Sequence, residues 1–146
     1  MREAANALVF VAVWASVVTV LVATIPSVLP RPSSPERPVR AALVIVGDRW
    51  SLEYEGNGSS NTAFGLLREA SDVQGFPLEW VDYGWPYDDV FVTSINGTRN
   101  DQNRNVWWQF CVNSAYASLG AVRQTVSDGD VVLWVYAQPG GSELCA

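Results

Sequence analysis

Three groups of residues in this sequence are of types that could do chemistry. Asp128-Gly129-Asp130 sets two carboxylates either side of a glycine. Paired carboxylates can hold a cation or exchange protons, but Ca²⁺ takes about six to eight oxygen ligands, and no loop here has that spacing. A turn in which the Asp side chains accept from local backbone N–H groups accounts for the same residues. Asp82, Asp88 and Asp89 form a second acidic set and a better cation candidate, with a solvated loop as the simpler reading. The third group is of the binding type. Trp85, Tyr87, Trp107 and Trp134 could offer flat faces to a planar or sugar ligand, with Gln109 and Asn113 (and also Asn103 and Asn105) orienting it. Packing is the competing use of aromatics; Trp108 and Trp134 are read as core, Trp85 and Trp107 as the ligand candidates.

No catalytic set emerges. The chain has no His, so no Ser/His/Asp or Cys/His arrangement exists, and no glycine loop suits a phosphate. The protein is read as a non-enzyme. Cys111 and Cys145 are its two cysteines. They are either one disulfide tying the tail to a strand, or a buried thiol and a tail thiol; two cysteines without His argue against structural zinc. Asn57-Gly58-Ser59 and Asn96-Gly97-Thr98 match glycosylation acceptors. Asn57 falls in a loop, whereas Asn96 is better explained by a turn.

The elements that must position these residues begin after an apolar run. Ala4 to Ile25 carries no charge, with Asn6, Ser16, Thr19 and Thr24 its only polar residues. At about 1.5 Å per residue it is long enough for a bilayer core of roughly 30 Å. A cleaved signal peptide would have a shorter apolar region, so residues 1–28 are read as an uncleaved membrane anchor. Residues 29–40 are proline-rich and extended, a stalk for a domain at 41–146. Arg2 is offset by Glu3, while Arg31, Arg37 and Arg40 lie on the far side of the run, so the charge rule mildly opposes an external domain. The cysteine pair favours one. From residue 41 onward five arginines face thirteen carboxylates, a net of −8 with no Lys, which argues against nucleic acid as a partner.

Within the domain, Ala41 to Val46 is a short apolar run consistent with a buried strand, and Trp50, Leu52 and Tyr54 alternate with polar residues, so Gly47-Asp48 should turn a hairpin. Ala63, Phe64, Leu66, Leu67, Ala70 and Val73 share one helical face, with Arg68, Glu69 and Asp72 opposite; Ser60 or Asn61 should cap the start and Gly75 the end. Phe76, Leu78 and Trp80 begin a third strand. Val90 to Ile95 is a strand turned by Asn96-Gly97, with Asn105 to Val112 expected as its partner. Val122 to Val126 should be a short extended piece. Val131 to Ala137, apolar on both faces, belongs at a sheet's centre. The expected class is α+β, a β-grasp-like mixed sheet covered by one helix.

At these residues the sequence resembles the transcobalamin-like C-terminal domain of prokaryotic surface proteins. The pattern comprises Phe91-Val92-Thr93-Ser94-Ile95-Asn96-Gly97, Trp107-Trp108-Gln109-Phe110-Cys111-Val112-Asn113, Leu119-Gly120-Ala121, and Asp128-Gly129-Asp130 running into Leu133-Trp134-Val135-Tyr136. The resemblance implies a small-ligand-binding β-grasp module displayed outside the cell, and the apolar run, which lies outside the resemblance, would hold it single-pass in the membrane. In animal transcobalamins a related domain closes over cobalamin held by a large helical barrel. This chain has neither room for that barrel nor a His for cobalt, so cobalamin or a related corrinoid would need a partner surface protein. The other class of function is a surface adhesion or assembly module with no small ligand.

Overall fold

The computed structural model describes residues 40–146. The expected anchor and, apart from Arg40, the expected stalk lie outside them. Among the described residues no helix is long and apolar enough to cross a membrane.

The elements are β1 (Ala42–Val46), β2 (Ser51–Glu55), α1 (Ala63–Gln74), β3 (Leu78–Tyr83), β4 (Asp89–Ile95), β5 (Thr98–Arg99), β6 (Trp107–Val112), β7 (Ala115–Tyr116), β8 (Val131–Ala137) and a closing 3-10 turn at Ser142–Cys145. They form two sheets, β2-β1-β8-β6-β7 and β3-β4-β5. The doubly apolar β8 is central, as its composition requires. It runs parallel to β1, with Ala42 opposite Val131, and antiparallel to β6, with Phe110 opposite Trp134. The β1–β2 hairpin forms as expected, with Leu52 and Tyr54 half-buried and Ser51, Glu53 and Glu55 exposed.

One expectation is corrected. The strand at Asn105 to Val112 does not pair with β4, and the fold is two sheets rather than one. Asn96 and Gly97 do turn a tight hairpin, with φ of 48° and 77°, but the returning strand is only Thr98–Arg99. Asp101 then stops it: its Oδ1 accepts from the N–H groups of Asn103 and Arg104, and its backbone bridges Val106. Asn105 is left-handed at φ 53°, so regular structure resumes at Trp107, now inside the larger sheet.

The core joins Leu43, Ile45, Trp108, Val132 and Trp134 of the large sheet to Phe64, Leu66, Leu67 and Ala70 of α1 and to Val92 and Ile95 of β4. Phe110 stacks on Trp134 at 4.9 Å between ring centroids, and Trp108 lies 5.3 Å from Tyr136. The helix begins at Ala63, and its cap falls just after the expected Ser60 or Asn61. Thr62 is its cap, accepting from Gly65 N–H at 3.1 Å. The segment expected to be extended at Val122 to Val126 instead docks the helix start: Ala63 N–H donates to Gln124 O and Phe64 N–H to Ala121 O, while Thr62 and Thr125 make a single β-bridge. Gly75, at φ 75°, closes the other end.

Two helix residues fall differently from the periodic reading. Val73 is mostly exposed, and Glu69, expected on the solvent side, is buried. Its Oε1 accepts from Tyr54 O–H at 2.7 Å and Asn57 N–H at 2.7 Å, and its Oε2 from Ser59 O–H at 2.8 Å. Burial alone would raise the Glu69 carboxyl, but the hydrogen bonds from Asn57, Tyr54 and Ser59 outweigh it and hold it below the usual carboxylate range. A carboxyl depressed on folding stabilises the fold above its unfolded value of about 4.3, and that contribution is lost as pH falls through the lower, folded value. Glu69→Gln is therefore expected to cost about 1–3 kcal/mol at neutral pH and to flatten the acid limb of stability. Urea unfolding midpoints across pH 3–7 measure both; an unchanged acid limb would show that Glu69 is not the group lost.

Candidate functional site

The β3–β4 hairpin carries the exposed aromatics. Its loop is closed by Tyr87 N–H donating to Gly84 O at 3.0 Å, and Trp85 projects from the tip with 89% of its surface exposed. Below the tip, Tyr83, Tyr87, Asp89, Val90, Phe91 and Arg123 line a hollow of about 360 Å³. The strands fix these side chains: Tyr83 ends β3 opposite Asp89 at the start of β4, and Phe91 sits opposite Val81. Phe91 lies 6.1 Å from Trp107 between ring centroids, which extends the aromatic surface onto the large sheet. Trp107 Nε1–H donates to Asn105 Oδ1 at 2.9 Å.

Asp89 anchors the far wall. Its Oδ1 accepts from Val90 N–H at 2.8 Å and Val122 N–H at 3.3 Å, and Oδ2 lies 3.8 Å from Arg123 Nε. The connection bearing Arg123 approaches so closely that a Cβ on Gly120 would collide with the Asp89 carboxylate. A side chain at position 120 would therefore require the Asp89 carboxylate to move.

The residues expected to bind are only partly brought together. Tyr87 lines the hollow, Trp107 borders it through Phe91, and Trp85 stands clear at the tip. Gln109 and Asn113 are committed elsewhere. Gln109 is buried; its Nε2 donates to Ala137 O and Gln138 O, and its Oε1 accepts from Tyr116 O–H. Asn113 accepts from Val131 N–H and donates to Asp130 Oδ1. Both amides hold strand ends together; the Gln109 side chain is buried there, whereas Asn113 is exposed and keeps one N–H free of these two bonds. Tyr83, Phe91 and Arg123 are not among the sequence candidates, and Asp89 is one only for a cation; Phe91 reads as a strand aromatic, and it lies opposite the exposed Val81.

Of the Asp128-Gly129-Asp130 pair, Asp130 bonds within its own turn and Asp128 ties the turn to the start of β1. Asp128 Oδ1 accepts from Arg40 N–H, and Asp130 Oδ2 from Ser127 N–H. Among the described residues no group of three or more His, Cys, Asp or Glu is placed to hold a metal ion, and this covers Asp82, Asp88 and Asp89. Cys111 and Cys145 form a disulfide, with Cα atoms 5.7 Å apart. Asn57 and Asn96 are both exposed.

The chain belongs to the family described as Domain of unknown function (DUF4430), whose model matches residues 60–138. That stretch runs from the start of the helix through β8. None of the curated proteins matches the chain. Among solved structures, a candidate metal-binding protein from Ruminococcus gnavus is similar with a TM-score of 0.55 at 16% identity, over 70% of this chain and 99% of that one. Haptocorrin in complex with Cbi is similar with a TM-score of 0.59 at 12% identity, over 73% of this chain and 26% of haptocorrin. The chain thus spans about a quarter of haptocorrin's length. At these identities the likeness is one of fold.

Proposed function

We propose that residues 41–146 are a β-grasp module of the transcobalamin-like kind that binds a small molecule outside the cell, held to the membrane by the apolar run near the N-terminus. The observation that carries this is the hollow in which Tyr83, Tyr87 and Phe91 meet the Asp89 and Arg123 side chains. A concave, mainly aromatic surface with few charged groups is the usual form of a small-ligand site. The shared fold with haptocorrin supports a corrinoid as one ligand, since that protein is seen with Cbi. A corrinoid is larger than a hollow of about 360 Å³, so this chain would meet one edge of it and a partner surface protein would cover the rest. The chain supplies no His to cobalt, and both cysteines are in the disulfide. Its part would be contact with the periphery of such a ligand.

The test is titration of the full chain with a cobinamide, read by Trp fluorescence, beside the variants Phe91→Ala and Tyr87→Ala. Each variant is expected to weaken binding about tenfold without moving the melting temperature. An unchanged signal at high micromolar corrinoid sinks the corrinoid version. A second reading, a surface assembly module, is favoured by the exposure of Trp85 at the hairpin tip. It predicts that Trp85→Ala abolishes attachment of the full chain to other surface proteins while Phe91→Ala does not.

A further inference from the structure

The charge of the hollow is unevenly presented. Asp89 spends one oxygen on the N–H groups of Val90 and Val122 and is mostly covered, with 15% of its side chain exposed, while the Arg123 side chain is 57% exposed. The contact between them is 3.8 Å, too long for a directional hydrogen bond. The Arg123 guanidinium therefore keeps its donor fork for another acceptor, in a domain with only five arginines from residue 41 onward. The other walls are the rings of Tyr83, Tyr87 and Phe91 with Val90.

We infer that this hollow selects a planar anion, an aromatic or similarly flat body that stacks on Tyr87 and Phe91 and ends in a carboxylate or comparable oxyanion on the Arg123 guanidinium. The inference rests on the small-ligand reading of the same site, independently of its corrinoid version, and names its ligand class. Flat faces suit the aromatic walls, and a guanidinium pairs with a carboxylate in a two-pronged geometry that a neutral amide cannot match. The surrounding net negative charge repels anions at long range, so Arg123 acts at contact distance and its effect weakens as salt rises.

The experiment is equilibrium dialysis of the full chain against 2-naphthoate and against its neutral counterpart 2-naphthamide. The naphthoate is expected to bind about tenfold more tightly, the difference of a charge-assisted hydrogen bond. In Arg123→Gln the ratio of the two affinities should fall to about one, and Arg123→Lys, which keeps the charge but not the fork, should lie between. Equal binding of both probes to the native chain overturns the anion assignment and leaves a small-ligand site standing. Binding of neither overturns both.

Discussion

Trp134→Ala is expected to cost about 3–5 kcal/mol, the range for deleting a large buried aromatic. Trp134 is 2% exposed, stacks on Phe110 and lies opposite Ile45 and Phe110 at the middle of the central strand. Since a small domain is stable by only about 5–15 kcal/mol, the variant should unfold at a much lower urea concentration. Trp134→Phe separates packing from the indole N–H. Trp134 Nε1 is buried without a partner among the described residues, so its removal costs little and the ring is largely kept. The phenylalanine variant should lose less than half as much as the alanine variant. Equal losses would mean that the stack with Phe110 contributes nothing. Trp85→Ala, at an exposed tip, should change stability by no more than about 0.5 kcal/mol.

The second large effect is expected from the disulfide. Cys111 lies inside β6 and Cys145 in the closing turn, 34 residues apart in sequence, and a cross-link over a loop of that length restricts the unfolded chain by about 3–4 kcal/mol. Both residues are buried, and the 3-10 turn lies against β6, β7 and β8. The double variant Cys111→Ala, Cys145→Ala is expected to lose about 2–4 kcal/mol, read from urea unfolding with and without reductant. Native protein should match the variant once reduced. Labelling of two thiols in the native, unreduced protein would show that the bridge is not formed.

The parts of this fold that were legible in the sequence are those set by local periodicity. The apolar character of Val131 to Ala137 on both faces demands two neighbouring strands, and β8 has them; Val132 and Trp134 face the core, while Val131 is exposed and Leu133 and Val135 are half-buried on the other face. Trp85 and Tyr87 sit among Gly84, Pro86 and Asp88, a composition that keeps a loop in solvent, and both are exposed. What was not legible depends on which strands are neighbours. Asn96-Gly97 announces a hairpin and says nothing of its length, so the early stop at Asp101 and the transfer of β6 to the other sheet leave no mark on the alternation. Glu69 is hidden for a similar reason: its partners come from Tyr54 and the loop at Asn57 and Ser59, which no helical spacing reports. The same holds for the candidate site. Arg123 shares a hollow with Tyr83 and Phe91 from a distant segment of chain, a juxtaposition that no local pattern reports, whereas Gln109 and Asn113, to which the sequence pointed, lie in strand-end hydrogen bonds away from it.

The parallel pairing of β1 with β8 has a consequence in time. Ala42 and Val131 are partners across 89 positions of chain, so the first described strand is made long before the strand that completes it. Until β8 emerges, β1 has only the β2 hairpin, and the helix has half a sheet to cover. Long-range pairing of this kind makes folding slow and leaves the early segments open to wrong partners. The domain must therefore pass most of its synthesis as an unfinished chain. A truncation just before Val131 is expected to abolish the cooperative unfolding transition altogether rather than lower its midpoint.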